Sequence, residues 1–169
     1  MEPEDLDLLY SIENDPDVWD VGVSNVPYSR YVLRDFIAQS SGDAYTDGQV
    51  RLIVETVEGG EVVGVADLIN FSPKHCRAEV GIVIERRHRR QGYAGEAVDL
   101  LADYAQRILH LHQLYAVVAE RNESALRLFT GRGFVRAASL PDWLYDGHGY
   151  HAAVLLQRVL NSEEVRSGR

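Results

Sequence analysis

Behind Pro3, Glu4, Asp5 and Asp7, the apolar positions Leu6, Leu9 and Tyr10 recur at helical spacing and run on to Glu13. A proline that fixes φ, followed by carboxylates on the positive end of a helix dipole, predicts a helix start. That helix is expected to end near Asn14, Asp15 and Pro16. Residues 15–28 read as loop, with Gly22, Asn25 and Pro27 as punctuation. A second helix is expected from Ser29 to Gln39, with Tyr31, Leu33, Phe36 and Ile37 inward, and Ser40 to Gly48 as a polar loop. The period then shortens to that of strands. Val50 to Val57 and Val62 to Phe71 flank the tight-turn signal Glu58, Gly59, Gly60, Glu61. Pro73, Lys74 and His75 turn the chain into a third strand, Arg77 to Ile84.

The clearest helix is Gly92 to Leu109. Ala94, Ala97, Val98, Leu101, Tyr104, Ala105 and Ile108 form one stripe, and Glu96, Asp99, Asp103 and Arg107 lie on the other face. Leu114 to Ala119 has the character of a buried strand, and Asn122 can cap a helix running to about Gly131. Phe134 to Arg136 and Tyr150 to Val159 are expected as closing strands. The pattern predicts one mixed α/β domain over residues 1–160 and a flexible tail over 161–169.

Composition narrows the class. The chain has 169 residues, 46% of them hydrophobic and 25% charged, which suits one domain with a sizeable core. The single cysteine, Cys76, has no internal partner, so a reducing, cytoplasmic setting is expected. No run approaches the roughly 18 apolar residues of a membrane span, and no basic leader follows Met1. The net charge is −9, and the first 50 residues carry all of it, with eleven acids against two arginines. Such a one-sided field favours a cationic partner and disfavours nucleic acid.

The segment richest in chemistry is Val80 to Gly95. An apolar strand enters a loop holding Arg86, Arg87, Arg89 and Arg90, and Gly92, Tyr93, Ala94 and Gly95 open the long helix. Free N–H groups at a helix start form an anion cradle that arginines can reinforce. The same pattern also fits an Arg-rich surface turn. It is neither a Walker loop, since no Gly-Lys-Ser/Thr follows, nor a dinucleotide fingerprint, which needs a third glycine. Six scattered histidines show no ligand spacing, so no metal is expected.

Arg89, Arg90, Gln91, Gly92, Tyr93, Ala94 resembles the R/Q-x-x-G-x-G/A pyrophosphate loop of the GNAT N-acetyltransferase superfamily. Downstream, the stretch from Asn122 through Ala125 and Phe129 to Gly133 and Phe134 is similar to that family's N-x-x-A-x-x-x-Y-x-x-x-G-F segment. The order of elements also matches over roughly residues 3–160. Arg77-Ala78-Glu79, the stretch Leu109 to Tyr115, and Tyr150 to Val154 resemble the branch of spermidine and ribosomal-protein acetyltransferases. The family ordinarily opens on a strand, whereas here a helix signal begins at Pro3.

The resemblance implies a central mixed, mostly antiparallel sheet, splayed at the cofactor site and flanked by helices. It implies acetyl-CoA as co-substrate, its pyrophosphate held by backbone N–H groups from Arg90 to Gly95. Backbone of Ile82, Val83 and Ile84 would pair with the pantetheine arm, Asn122 would contact it, and the 3′-phosphate falls to Arg86, Arg87 or Arg90. Glu79 takes the place of the active-site glutamate of the polyamine enzymes, as amine holder or base; a strand glutamate paired with Arg77 is the other reading. Phe129 stands where the family commonly carries a tyrosine general acid, and packs beside the thioester instead. Asn25 and Val26 replace the paired acids expected before Pro27 and Tyr28, leaving Glu13, Asp17, Asp20 and Tyr28 as acceptor-side candidates, with Asp15 beside them. The acceptor is then a small polyamine-like amine or a protein N-terminal amine. The other class of function is an acyl-CoA-binding sensor or scaffold with little catalysis. A homodimer is the base-rate expectation.

Overall fold

The backbone N–H of Glu2 donates to Asp5 Oδ2 at 2.7 Å, and Pro3–Asp5 forms a short 3-10 turn that feeds α1, Leu6–Glu13. In this computed structural model, residues 1–16 and 26–160 are described. The candidates Asp17 and Asp20, and the tail 161–169, lie outside them. Helix α1 buries Leu9 and Ile12. Helix α2, Arg30–Gln39, starts where the Ser29 hydroxyl accepts the Val32 N–H, and it buries Leu33.

Tyr31, expected inward, is 77% exposed. Residues two apart on a helix do not share a face, so a helix that buries Leu33 must turn Tyr31 outward. The expected loop after α2 contains a one-turn helix, α3, Ala44–Asp47, whose first N–H groups bond the Asp43 carboxylate. The Tyr45 hydroxyl donates to the Leu109 carbonyl at 2.6 Å and ties this turn to the end of the long helix.

Six strands make one sheet: β1 (Val50–Glu55), β2 (Val62–Ser72), β3 (Arg77–Ile84), β4 (Gln113–Ala119), β5 (Val135–Tyr145) and β6 (Tyr150–Val159). Their order is β1-β2-β3-β4-β6-β5, and only β3 and β4 run parallel. The crossover between them is α4, Tyr93–Arg107, while α5, Glu123–Thr130, follows β4. One core joins Val98, Leu101 and Ala105 of α4 and Leu126 and Phe129 of α5 to Leu68, Val80, Leu114 and Leu156 of the sheet. Ile108, expected on the α4 stripe, is 63% exposed, because the helix ends at Arg107 and Leu109 takes the buried place.

Strand β5 is much longer than the three residues the pattern predicts. Pro141 and Asp142 sit inside it, where the ladder to β6 shifts register between Leu140 and Leu144 and Asp142 takes φ +50°. A bulge on an edge strand accommodates the proline.

The decisive feature for function is the junction of β3 and β4. They pair over only three rungs, Arg77–Glu79 with Gln113–Tyr115. Beyond that, β3 stays bonded to β2 as far as Ile84, and β4 stays bonded to β6 as far as Ala119. The two strands therefore part, and the facing backbones of Val80–Ile84 and Ala116–Ala119 have no ladder partner among the described residues.

Candidate active site

Two structures converge at the open end of this wedge. The first is the turn from β3 into α4. After Ile84 the chain makes a 3-10 turn over Arg86–His88, and Arg90 (φ +65°) and Gly92 (φ +94°) take the left-handed conformation. Only a glycine adopts such a φ freely, so Gly92 lets the chain turn into the helix at this point. The N–H groups of Gly95 and Glu96 both bond the Gly92 carbonyl, at 3.0 and 3.2 Å. Those two N–H groups, the Gly95 one expected in an anion cradle included, are thus already used inside the helix.

Arg87 and Arg89 of this turn have local duties. Arg87 pairs with Glu85 at 2.9 Å. Arg89 Nε donates to the Ile84 carbonyl at 2.9 Å, and its guanidinium lies 4.0 Å from Asp15. Gln91 donates to the Arg87 carbonyl at 3.2 Å. Tyr93 is half-buried, edge-on to His88 with ring centres 6.4 Å apart.

The second structure is a cavity of about 290 Å3 that opens through the wedge. Gly81, Ile82 and Val83 line one side, and Ala116–Ala119, Asn122 and Phe129 the other. Ile84 is buried at the end of β3. The Asn122 carboxamide oxygen accepts the Ala125 N–H at 3.1 Å and so caps α5 at the cavity wall. Phe129 is buried, edge-to-face against Phe134 with centroids 5.1 Å apart. Its ring carries no group that can give a proton.

Toward α1 the cavity is polar: Glu13, Arg51, Asp67 and Glu79 line it, three carboxylates against one guanidinium. Arg51 forks onto Asp67, with Nε to Oδ1 at 2.7 Å and Nη2 to Oδ2 at 3.0 Å, and reaches Glu13 at 2.5 Å. Opposite Asp67 on β3 stands Gly81; a Cβ there would lie 3.4 Å from the Asp67 Cβ. Burial pushes the Asp67 carboxyl up from the usual carboxylate range, and Arg51 pulls it only part of the way back. Tyr28 lines the same cavity, held because Asn14 bonds both its N–H (2.8 Å) and its carbonyl (3.1 Å).

Glu79 sits on the last rung before the strands part, opposite Ile69 on β2 and Tyr115 on β4. Asn70 Nδ2 donates to its Oε2 at 2.8 Å from a left-handed position at the β2 bulge, and the Tyr115 hydroxyl also donates to the Glu79 carboxylate. Burial pushes the Tyr115 phenol up, and the neighbouring Glu79 charge adds to the shift. Glu79 thus has one face fixed by Asn70 while the residue lines the cavity.

Of the acids in the first third, Glu13 lines the cavity, whereas others serve helix starts and turns. Asp43 and Asp47 bond backbone N–H groups, and Asp7 pairs with Arg30. Arg51 and Asp67 were not singled out from the sequence. Their signal was there: an arginine near the start of one apolar-rich strand and an aspartate in the apolar middle of the next, which face one another across a hairpin. Among the described residues no group of three or more His, Cys, Asp or Glu is placed to hold a metal ion, and no helix is long and apolar enough to cross a membrane.

A parallel strand pair splayed over a glycine-opened helix is the architecture of an acyltransferase that lodges its donor in the sheet. Residues 1–135 match the family model of the acetyltransferase (GNAT) domain, and the chain belongs to that family of N-acetyltransferases. It is 30% identical over 135 residues to a spermidine N(1)-acetyltransferase of Escherichia coli K12, a match covering 79% of this chain and 69% of the relative. The crystal structure of a spermidine N-acetyltransferase from Vibrio cholerae in complex with CoA and spermine is similar with a TM-score of 0.83 at 24% identity, covering 95% of this chain and 92% of that one. A dodecameric structure of spermidine N-acetyltransferase from the same organism gives a TM-score of 0.82 at 24% identity, covering 100% of this chain and 95% of that one.

Proposed function

We propose that the protein is an acetyl-CoA-dependent N-acetyltransferase whose acceptor is a primary amine of a small polyamine-like cation. The observation that carries this reading is the charge of the cavity: three carboxylates and one guanidinium line it where the β3 edge opens. The relatives act on spermidine or, in one structure, hold CoA and spermine. The residues present suit the donor. Backbone of Ile82 and Val83, which line the cavity, offers hydrogen bonds to an amide-bearing arm, while the Ile84 carbonyl is already taken by Arg89; Arg90 to Ala94 offer N–H groups to a pyrophosphate, and Asn122 stands on the opposite wall. When bound, acetyl-CoA supplies an acetyl group activated as a thioester.

Glu79 holds the incoming ammonium and accepts its proton, freeing the lone pair of the nitrogen for direct transfer. Asn70 fixes the carboxylate that does so. Asp67 and Glu13, each shared with Arg51, supply the negative field that draws the remaining charge of the acceptor into the cavity. Phe129 walls the site off from water but gives no proton to the leaving thiolate, a leaving group tolerable without one. The setting is cytoplasmic, and the working form is an oligomer, as the dodecamer of the Vibrio cholerae enzyme supports.

An amine panel assayed by thiol release tests this reading. Turnover is expected with spermidine and spermine, and Glu79→Gln should lower it by ~10²–10⁴-fold, the usual cost of losing a general base. An unchanged rate and KM in Glu79→Gln would remove Glu79 from its role. Phe129 favours one second reading, an acyl-CoA-binding module. Tight acetyl-CoA binding by calorimetry, with no turnover on polyamines, peptide N-termini or other amines, would select it.

A further inference from the structure

Among the described residues, one buried side-chain nitrogen is shut off from solvent without a hydrogen-bond partner: Nε2 of His88, a residue only 9% exposed. A polar atom buried in this way is costly, and rare enough in folded proteins to need a reason. Two carboxylates stand just beyond bonding reach, Glu61 Oε1 at 3.5 Å and Glu85 Oε2 at 3.8 Å. The backbone around this gap is pinned. Glu61 closes the β1–β2 turn, its carbonyl accepting the Thr56 N–H at 2.9 Å and its own N–H donating to Thr56 Oγ1 at 3.0 Å. The Glu85 N–H donates to the Val63 carbonyl at 2.9 Å, and the His88 N–H to the Glu85 carbonyl at 2.9 Å. Only the side chains have to move, by roughly 1 Å or less, to reach the length of a charge-assisted bond.

We propose that His88 is a proton switch beneath the β3–α4 turn: as an imidazolium it closes onto Glu61 and Glu85 and raises the affinity of the turn for an anionic donor. This assignment rests on the acetyl-CoA reading above and adds to it a dependence on acidity. His88 brackets the loop Arg89–Gly92, ending the 3-10 turn before it and meeting the ring of Tyr93, the first residue of α4, after it. Closing the gap ties that loop to the β1–β2 turn and adds a positive charge under it. Both effects favour the anion. The charged groups around the ring are few. Glu61 faces it from the β1–β2 turn, and Glu85, which also holds Arg87 at 2.9 Å, from its own turn. Tyr93 brings a ring edge from α4, and Arg89 is engaged by the Ile84 carbonyl and Asp15. An imidazole ordinarily changes charge between about pH 5 and pH 8, where carboxylates keep theirs. A donor that binds the protonated form more tightly must take up a proton as it binds, so affinity rises as pH falls.

The test is calorimetric binding of 3′-dephospho-CoA from about pH 5.5 to about pH 8, in buffers of differing ionisation enthalpy; this probe lacks the terminal phosphate, which itself titrates in that range. Wild type is expected to bind about 2–5-fold more tightly at the acid end, the size of an ion pair that keeps some contact with water, and to take up protons on binding. His88→Gln, which stays polar but does not titrate, should show a flatter profile and less uptake, and Glu61→Gln an intermediate slope. Should His88→Gln fail to fold, Glu61→Gln, altered at a side chain 57% exposed, carries the test: an unchanged slope there overturns the proposal. A profile common to wild type and both variants overturns it too, as does a wild-type affinity that falls toward acid. Wild type that binds the probe at no pH is a distinct result, and sinks the acetyl-CoA reading itself.

Discussion

Arg51 and Asp67 face each other across the β1–β2 hairpin and are joined by two hydrogen bonds, 2.7 and 3.0 Å long, on the floor of the cavity. The fork orients the carboxylate, and Glu13 completes the pairing from α1. Removing the cation would leave two carboxylates facing one another in a poorly hydrated place. Arg51→Ala should destabilise the fold by on the order of 2–3 kcal/mol, below the roughly 3–5 kcal/mol of a fully buried pair because these side chains keep some access to water. Asp67→Asn should cost less, since an amide still accepts from the guanidinium. Urea midpoints measure both; an Arg51→Ala midpoint equal to wild type contradicts the role given to the fork.

Phe129 offers a gain-of-function test. Its ring lines the cavity and leans on Phe134. Phe129→Tyr adds one hydroxyl to an otherwise apolar wall, and kcat for acetyl transfer should rise if protonation of the thiolate limits turnover. A fall in kcat with an intact melting temperature would show that the dry wall matters more than a proton source.

Asn122 begins α5, three residues after β4 ends at Ala119. Its carboxamide oxygen satisfies the first free N–H of α5, so Asn122→Ala should cost about 1 kcal/mol of stability, and Asn122→Asp or Asn122→Ser should restore most of it. Thermal melts of the three variants decide the matter. A uniform loss across all three would assign the stability to some contact other than the cap.

Acid stability has a separate marker in the β5–β6 turn. Asp146 accepts the N–H groups of His148 and Gly149 at 3.0 Å each and faces His151 and Arg121, which together hold its carboxyl far below the ordinary value. A lowered folded-state pKa means that the stabilising contribution is present above the unfolded value of 3.8 and drains away as pH falls through the folded one. Asp146→Asn should therefore be less stable at neutral pH and show a flatter decline below about pH 4. Melting temperature against pH, run for both proteins, checks the slope; parallel curves would exclude Asp146.

What the sequence revealed was whatever is local. The turn from β3 into α4 and the Asn122 cap were legible because a few consecutive residues set their geometry, as Gly92 does through its φ of +94°. The Glu13, Arg51 and Asp67 cluster was not, because its members are 16 and 38 residues apart and meet only through strand register and the packing of α1. Strand β5 was under-read for a different reason. Pro141 and Asp142 signal a break, and the sheet absorbs that break in a bulge. The charge of the first third was legible as a sum but misleading as a map, since Asp43 and Asp47 are spent on a turn and a helix start.

Three rungs between β3 and β4 are few for the only seam that joins two halves of a sheet. A donor arm bonded along Val80–Ile84 would close part of that seam, so ligand supply and structural integrity become one variable. At a hundredfold excess over Kd, mass action alone adds about 2.7 kcal/mol to the folded state. Donor-saturated protein should then melt at a higher temperature than the empty protein, with the gain concentrated at this seam.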